Sequence, residues 1–189
     1  MIGEKHTLVE GTSLNGVYII RSKTFEDERG FFRETFRKNE LEEIIGYPFN
    51  IVQGNHSRSK KNVLRGIHVA PWSKLIYCAC GSIQEVIIDL KKDSPTFMEY
   101  TSIVISDKDK AKIFVPRYCG NSYLVLSEEA DYIYLTDEYW QPRREIGIIW
   151  NDPSLNIDWH DDNPKLSNAD KNNSLLKNVL QEIINAQAK

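Results

Sequence analysis

Short apolar runs separated by turn-forming residues characterise the hydrophobic pattern of this chain. The runs are rich in Val, Ile, Tyr and Phe, whereas Gly, Asn, Asp and Pro stand between them. Many short runs of this kind are typical of the strands of a sandwich or barrel. We predict strands at residues 16–21, 30–35, 51–56, 63–68, 74–80, 82–90, 100–105, 111–115, 121–127 and 132–136.

The strand predicted at residues 82–90 has a different pattern from the others. Its apolar residues Ile83, Val86 and Ile88 do not alternate strictly with polar ones. This predicts either a strand that is covered on both faces or a β-bulge.

Two segments have apolar residues at helical spacing. Residues 38–45 form a short candidate helix, with Asn39 as its N-cap and Gly46 as its stop signal. A second helix is predicted at about residues 173–186, from the spacing of Leu175, Leu176, Val179, Leu180, Ile183 and Ile184. About ten strands with short peripheral helices predict an all-β fold, either an antiparallel barrel or a double-sheet antiparallel jelly roll. We expect one domain over residues 1–189, with a ligand cavity between its sheets.

Composition and charge narrow the function classes. The net charge is −3 and the pI is about 5.8, with lysines and acids interleaved, so the sequence has no basic stripe of the kind that binds nucleic acid. The short basic patch at residues 58–61 is interpreted as a solvated loop, or alternatively as an aid in holding an anionic substrate. No apolar run reaches the roughly 18 residues of a membrane span, and residues 1–6 do not resemble a secretory signal. The odd number of cysteines, Cys78, Cys80 and Cys119, favours a reduced, cytoplasmic protein.

The histidines argue against a metal site. The chain has only His6, His56, His68 and His160, with no His-x-His pair and no histidine between residues 69 and 159. Jelly-roll metal sites need convergent imidazole and carboxylate ligands from neighbouring strands. We therefore expect neither a metal nor another cofactor. Acid–base chemistry by side chains is then the chemistry expected of the site.

His68 lies at the end of the segment Leu64–His68, in which Gly66 interrupts the strand pattern. Arg65 and His68 do not share a face of a regular strand, but a glycine often marks a bend that changes this. From spacing alone, an interior histidine with a satisfied hydrogen bond is the favoured interpretation of His68.

An ordered series of motifs changes that interpretation. The motifs are DERGFFRE at residues 27–34, QGNHS at 53–57, LRGIH at 64–68, KL at 74–75, DL at 89–90, DSPTF at 93–97, Tyr134 with Tyr139, WNDP at 150–153, IDW at 157–159 and LSNAD at 166–170. In this order they resemble the dTDP-4-dehydrorhamnose 3,5-epimerase family. The resemblance implies a cupin-like jelly roll that forms a homodimer and acts on a nucleoside-diphosphate 4-keto-6-deoxy sugar.

The resemblance also implies the catalytic roles. His68 matches the base that removes a proton next to the ketone, and Asp170 matches the carboxylate that orients its imidazole. Lys74 matches the cation near the ketone oxygen, and Tyr134 matches the acid that returns a proton from the opposite side. Without the family match, Tyr134 reads as an ordinary strand residue and Asp170 as a helix cap.

Binding roles follow in the same way. Arg65 resembles the arginine on the sugar pyrophosphate, and Gln53 and Asn55 resemble polar contacts in the sugar pocket. A second group resembles a nucleotide-contacting segment that reaches the site of the partner subunit, and its members are Arg29, Phe32 and Glu34. Tyr139 and Trp140 are expected to form a stacking wall for base or sugar, although Trp140 also reads as a surface aromatic in a turn.

The sequence departs from the family pattern in two places. The segment VAPWS at residues 69–73 is shorter than the family loop before the lysine and lacks its glutamine. Asn121 stands where the family has a histidine; it can donate a hydrogen bond to the sugar or phosphate but carries no charge. We therefore expect retained proton chemistry on an altered substrate, such as a 4-keto heptose or a 3,6-dideoxy sugar, or a GDP or CDP sugar. Inversion at C3, at C5 or at both stays open.

Two other functions remain as alternatives. A related jelly-roll ketoisomerase would move the carbonyl between C4 and C3 of the same kind of sugar. A non-catalytic sugar-nucleotide-binding jelly roll would bind the sugar nucleotide tightly without exchanging its protons.

Overall fold

A computed structural model describes residues 7–188. Residues 1–6, which carry His6 and the region tested for a secretory signal, lie outside the described residues, as does Lys189. The strands are β1 Thr7–Gly11, β2 Tyr18–Ser22, β3 Thr24–Asp27, β4 Gly30–Arg33, β5 Gln53–Lys60, β6 Leu64–Val69, β7 Lys74–Cys80, β8 Ser82–Asp89, β9 Tyr100–Ser106, β10 Ala111–Val115, β11 Cys119–Val125, β12 Glu129–Thr136 and β13 Ile146–Gly147. The helices are α1 Lys38–Ile45, α2 Asn168–Lys171 and α3 Leu176–Ala186.

The strands form two facing antiparallel sheets and a separate hairpin. One sheet has the order β1-β2-β10-β7-β12-β5, the other has the order β13-β6-β11-β8-β9, and β3 pairs with β4. Apolar side chains from both sheets, such as Ile76 and Ile87, form a core between them. The predicted all-β, double-sheet jelly roll with short peripheral helices is confirmed.

The strand at residues 82–90 is covered on both faces, as one of the two interpretations of its pattern required. Ile83 and Ile87 point into the core between the sheets. Val86 and Ile88 belong to a second core that includes Ile183 of α3. Helix α3 therefore shields the outer face of β8 from water.

Both predicted helices are present, but the N-cap of α1 and the first residue of α3 differ from the prediction. Helix α1 has the predicted bounds and ends at Gly46, which adopts a left-handed conformation with φ 80°. The prediction that Asn39 is its N-cap is wrong, because Arg37 occupies that position and makes no side-chain capping bond. Helix α3 starts at Leu176 rather than at about residue 173, because Ser174 is still extended and pairs with Ile148.

Residues 58–60 of the basic patch belong to a strand, and only Lys61 lies in the turn that follows. Strand β5 continues through Lys60 and pairs with β12 over its whole length. Across this pair, the Arg58 guanidinium bonds to both carboxylate oxygens of Asp131, at 2.8 and 2.7 Å. The patch was misread because its polar residues hide the continuation of the strand.

Gly66 creates the irregularity that positions the site. It has φ +113°, and a Cβ there would lie 2.8 Å from the carbonyl oxygen of Asn121. The register against β11 shifts at this point, because His68 pairs with Asn121 whereas Arg65 pairs with Tyr123. Three steps along β6 therefore match two along β11, which is the geometry of a β-bulge. The bulge turns Arg65 and His68 to the same side.

None of the helices in the described part of the chain is long and apolar enough to span a membrane.

Candidate active site

A cavity of about 720 Å³ opens at the end of the two sheets. Strands β5, β6, β7, β11 and β12 supply its walls, and the segment that contains α2 closes one side. Eight of the residues singled out from the sequence line it: Gln53, Asn55, Arg65, His68, Lys74, Asn121, Tyr134 and Asp170. Trp140 also lines it, although about half of its surface remains exposed.

His68 and Asp170 form a hydrogen-bonded pair in this cavity. His68 Nε2 lies 2.9 Å from Asp170 Oδ1, although the two residues are far apart in the sequence. Asp170 is almost fully buried, and its second oxygen accepts a hydrogen bond of 2.8 Å from Ser167 Oγ. Burial opposes its ionisation, but the bonds from His68 and Ser167 hold the pKa of Asp170 below its ordinary value. A charged Asp170 therefore accepts a hydrogen bond from the Nε2–H of His68, and the unprotonated Nδ1 is the nitrogen that can accept a proton.

Helix α2 explains how Asp170 reaches this position. Ser167 caps the helix by accepting a 3.0 Å hydrogen bond from the backbone amide of Asp170. The Ser167 hydroxyl and the Asp170 backbone and side chain therefore satisfy one another, which fixes the carboxylate in the first turn. Asp170 is thus part of a helix start and a partner of His68 at the same time.

Glu145 is a site residue that the sequence did not reveal. Its Oε1 lies 3.4 Å from His68 Nδ1, and its Oε2 accepts a 2.7 Å hydrogen bond from Trp140 Nε1. It belongs to a charged, irregular segment before β13, where no periodicity distinguishes it from solvated acids. Its nearness in sequence to Tyr139 and Trp140 was the only available signal.

Lys74 and Tyr134 face the cavity from the neighbouring strands β7 and β12. Lys74 Nζ lies 5.9 Å from the centre of the Tyr134 ring. Burial lowers the pKa of Lys74, whereas the charge of Glu145, and that of Glu85 when it is ionised, oppose this effect. Burial raises the pKa of Tyr134, and Glu145 acts in the same direction, so the phenol keeps its proton at neutral pH.

Asn121 links Lys74 to two further buried polar groups, Tyr132 and Glu85. Its Oδ1 accepts a hydrogen bond from Lys74 Nζ. Its Nδ2 donates to the hydroxyl of Tyr132 at 3.2 Å and to Glu85 Oε1 at 3.4 Å. Glu85 and Tyr132 were not singled out from the sequence, because both read as ordinary positions within strand patterns.

Polar groups continue along the cavity from the proposed base. Arg65 Nε donates a 3.0 Å hydrogen bond to Ser59 Oγ. Gln53 Nε2 donates to Asn55 Oδ1 at 2.9 Å, and Gln53 Oε1 accepts from the backbone amide of Trp140 at 2.9 Å. The Nδ2 atom of Asn55 is buried and has no hydrogen-bond partner among the described residues, so it is free to donate to a ligand.

Four residues singled out from the sequence lie outside this cavity. Arg29 and Phe32 belong to the β3–β4 hairpin and its turn, where Arg29 pairs with Asp27 and Phe32 is exposed. Glu34 follows the hairpin and pairs with Arg37 at 2.5 Å. Tyr139 is exposed and does not contribute to the cavity wall. Their proposed binding roles stay predictions.

The described residues contain no group of three or more His, Cys, Asp or Glu side chains arranged to hold a metal ion. His56, which could have served as a ligand, pairs instead with Asp131 at 3.0 Å.

Comparison with known proteins identifies the family. Residues 11–178 match the family model described as dTDP-4-dehydrorhamnose 3,5-epimerase. The chain is 39% identical over 165 residues to the dTDP-4-dehydrorhamnose 3,5-epimerase of Shigella flexneri, which covers 85% of this chain and 91% of that protein. It is 38% identical to the enzyme of the same name from Salmonella typhimurium, over 92% of this chain and 97% of that protein.

Solved structures of similar proteins indicate the same family. The dTDP-6-deoxy-D-glucose-3,5-epimerase RmlC of Legionella pneumophila, in complex with dTDP-4-keto-L-rhamnose, has a TM-score of 0.90 and 34% identity, covering 95% of this chain and 97% of that one. ChmJ, a 3'-monoepimerase of Streptomyces bikiniensis in complex with dTDP-quinovose, has a TM-score of 0.87 and 27% identity, covering 94% of each chain. The chain therefore belongs to the dTDP-4-dehydrorhamnose 3,5-epimerase family and is an isomerase of the carbohydrate epimerase type.

Proposed function

We propose that the protein inverts C3, C5 or both of a nucleoside-diphosphate 4-keto-6-deoxy sugar in the biosynthesis of deoxysugars for surface polysaccharides. The observation that carries this proposal is the convergence of the His68–Asp170 pair, Lys74 and Tyr134 on one cavity. A base, a cation and an acid are the groups that inversion next to a ketone requires.

The reaction begins at the imidazole. His68 removes the proton from a carbon next to the ketone. The C–H electron pair forms a double bond to the ketone carbon, and the resulting enolate has its negative charge on the ketone oxygen. Asp170 stabilises the resulting imidazolium through its 2.9 Å contact with Nε2. Because Asp170 keeps its charge, the imidazole stays oriented with one nitrogen available to the substrate.

Lys74 and Tyr134 complete the inversion. The ammonium of Lys74 stabilises the negative charge that develops on the ketone oxygen, in a buried place where such an interaction is strong. Tyr134 then returns a proton to the carbon from the face opposite His68, and inversion results because the two protons use different faces. Its raised pKa suits an acid that must remain protonated at neutral pH.

The remaining polar groups are proposed to bind the substrate. Arg65 lies on the same side of β6 as His68 and is suited to bind the pyrophosphate with its planar guanidinium. Gln53 and Asn55 offer amide groups to the sugar, and Asn121 offers one beside Lys74. We propose a dTDP sugar as the substrate, because two of the similar solved structures hold dTDP-4-keto-L-rhamnose and dTDP-quinovose.

We further propose a homodimer with a shared nucleotide site. Phe25, Phe31 and Phe32 expose their rings on the β3–β4 hairpin, which is unusual for a surface that only meets water. Arg29 and Glu34 lie on or beside the same hairpin and outside the cavity of their own chain. A hairpin that reaches the site of the partner subunit accounts for both features.

A cytoplasmic location completes the proposal. The three cysteines carry free thiols rather than disulfides, and Cys78 and Cys119 are buried. Unpaired thiols are the usual state of cysteine in a reducing compartment.

The nucleotide and the sugar are tested together by turnover. The protein is mixed with 4-keto-6-deoxy sugars linked to dTDP, GDP or CDP, and proton NMR identifies the products. We expect the dTDP sugar to be turned over with the ketone still at C4. A preference for GDP or CDP would overturn the nucleotide assignment, and a ketone found at C3 would indicate a ketoisomerase. Tight binding with no reaction of any sugar would indicate a binding protein.

A further inference from the structure

Glu85 is a fully buried carboxyl group that the proposed reaction does not use. It lies on β8, beside β11, the neighbouring strand of the same sheet that forms part of the cavity wall. Its Oε1 faces Asn121 Nδ2 at 3.4 Å, whereas its Oε2 is buried without a hydrogen-bond partner. An acid in such a place is costly to bury, so its retention calls for a role.

Asn121 has an amide whose two ends face different surroundings. Its oxygen accepts from the Lys74 ammonium on the cavity side. Its nitrogen faces the carboxyl of Glu85 and the hydroxyl of Tyr132 on the interior side. A reversed amide would set its NH₂ group against the ammonium and its carbonyl against the carboxyl oxygen. The ammonium can only donate, so the amide oxygen faces Lys74, and the acceptors on the other side hold the amide in that position through its nitrogen.

We propose that Glu85 is a positioning residue for the epimerase: through Asn121 it holds the ammonium of Lys74 at the place of the ketone oxygen. This inference rests on the role of Lys74 proposed above. It predicts that Lys74 depends, through Asn121, on Glu85, which does not line the cavity.

The charge state of Glu85 fits this role. Burial raises the pKa of Glu85 well above its ordinary value, and contacts with Asn121, Lys74 and Tyr132 only partly oppose this. A neutral Glu85 orients the amide without pairing with the ammonium. Lys74 then keeps its charge for the oxygen of the substrate, whereas a buried carboxylate would draw the ammonium inward and neutralise it.

Substitutions at Glu85 separate positioning from simple burial. Glu85→Met keeps the volume but removes the acceptor, and Glu85→Gln retains an oxygen that can accept from Asn121. With a dTDP-4-keto-6-deoxyhexose as the probe, we expect Glu85→Met to lower kcat at least about tenfold with little change in KM, because the interaction matters in the transition state. We expect Glu85→Gln to recover most of this loss.

A matched control lies next to Glu85 on the same strand. Gln84 is also fully buried, but its amide bonds to Ser102 and to the backbone of Asp158 and His160, away from Asn121. Gln84→Met is expected to lower the melting temperature while leaving kcat and its pH profile in place. If Gln84→Met and Glu85→Met change kcat and the pH profile equally, burial alone explains the effect and the inference is overturned.

The dependence of kcat on pH is a measurement that a purely structural role of Glu85 would leave unchanged. Losing the oxygen of Asn121 as an acceptor lowers the pKa of Lys74 further. Of the other groups that act on this pKa, Glu145 and Cys119 are unchanged, and Glu85, which is neutral in the wild type, takes no charge away when it is replaced. The high-pH limb of kcat is therefore expected to move to lower pH in Glu85→Met and to return in Glu85→Gln. An unmoved limb in Glu85→Met would contradict the inference.

Asn121→Leu keeps the test decisive even if Glu85→Met does not fold. This variant cuts the link without altering Glu85, and we expect it to lower kcat as Glu85→Met does. The double variant should be no slower than Asn121→Leu alone, because both changes break one path. Additive losses, or an Asn121→Leu that changes KM alone, would overturn the inference.

Lys74→Met distinguishes failure of this inference from failure of the proposed mechanism. If Lys74→Met is inactive while Glu85→Met is normal, only the positioning role fails. If Lys74→Met retains the wild-type rate, the proposed role of Lys74 fails and the positioning role fails with it.

Discussion

At the scale of single residues, proton chemistry depends on how each carboxyl group is held. Asp170 stays charged because His68 and Ser167 bond to it, whereas Glu85 faces a single amide and one phenol and is disfavoured as an anion. Glu145 lies close to His68 and accepts a hydrogen bond from Trp140. Three acids within one region of the fold thus have different contacts because their partners differ.

Replacing Asp170 by Asn tests the orientation of the base. Asparagine fits the same space but does not stabilise the imidazolium and can favour the wrong tautomer of His68. We expect kcat to fall by about 10²- to 10⁴-fold while the circular dichroism spectrum is retained, by analogy with a triad carboxylate. A kcat within about threefold of the wild type would show that His68 does not need this partner.

The pKa of Asp170 also predicts how stability depends on pH. Its pKa in the folded protein lies below the ordinary value of 3.8, so its ionised form stabilises the folded state. This contribution is complete above the unfolded pKa and is lost as pH falls through the folded one. Urea unfolding of the wild type and Asp170→Asn should therefore show a free-energy difference that shrinks below about pH 4. A difference that grows on acidification would contradict the assignment.

Family motifs identified His68, Lys74, Tyr134 and Asp170 as site residues, but spacing alone did not. Glu85 and Glu145 escaped detection for a physical reason. The burial of a carboxyl group depends on strands that pack against it from elsewhere in the chain, and a local pattern contains no record of that packing. The pair of polar residues Gln84 and Glu85 between the apolar residues of β8 was the only sign of Glu85.

At the scale of elements, the bulge in β6 joins sequence to function. Arg65 and His68 would point to opposite faces of a regular strand, and the positive φ of Gly66 removes that restriction. The sequence indicated that a bulge could form here, since a glycine inside a strand pattern permits one. Whether it forms is decided by β11, whose register shifts to accommodate the extra residue.

Gly66→Ala tests the bulge. A Cβ at this position would lie 2.8 Å from the Asn121 oxygen and 2.9 Å from Ser122 Cβ, on a backbone with φ +113°. We expect a loss of about 2–4 kcal/mol in the free energy of unfolding by urea and a larger fractional loss in kcat/KM. Gly11→Ala is the control, because a Cβ there meets nothing within 4 Å. Equal effects of the two substitutions would refute the importance of the bulge.

Elements without periodicity were the ones that sequence did not reveal. Helix α2 has four residues and β13 has two, so neither is long enough to repeat a pattern. Strand β3 has the sequence TFED, in which two acids mask the strand signal. Helix α2 nevertheless contains Asp170, and β13 begins directly after Glu145.

At the scale of the whole molecule, the strand count predicted an antiparallel barrel or a double-sheet jelly roll, but not the order of the strands. Sheet order joins β2 to β10 and β12 to β5, and these pairings link distant parts of the chain. The same long-range pairing brings Asn55 beside Tyr134 and His68 beside Asn121. The site therefore depends on the order of the strands. No local pattern predicts this order, and the ordered motifs indicated the site only through the resemblance to the family.

Subunit mixing tests the proposed shared site. His68→Asn removes the base but keeps the hairpin, whereas Arg29→Ala/Phe32→Ala alters the hairpin but keeps the base. If each hairpin serves the site of its partner, an equal mixture that exchanges subunits should regain about a quarter of the wild-type sites, because half of the dimers are mixed and each has one intact site. A mixture no more active than its components would contradict a shared site.

The most direct test of the account is the exchange of substrate hydrogen with solvent. In heavy water, proton NMR of a dTDP-4-keto-6-deoxyhexose should show deuterium entering at C3, C5 or both in the presence of the wild-type protein, with the ketone still at C4. The same sugar with His68→Asn should retain its hydrogen at those carbons. Wild-type exchange rates in His68→Asn, or no exchange with the wild-type protein, would contradict the assignment of His68 as the base.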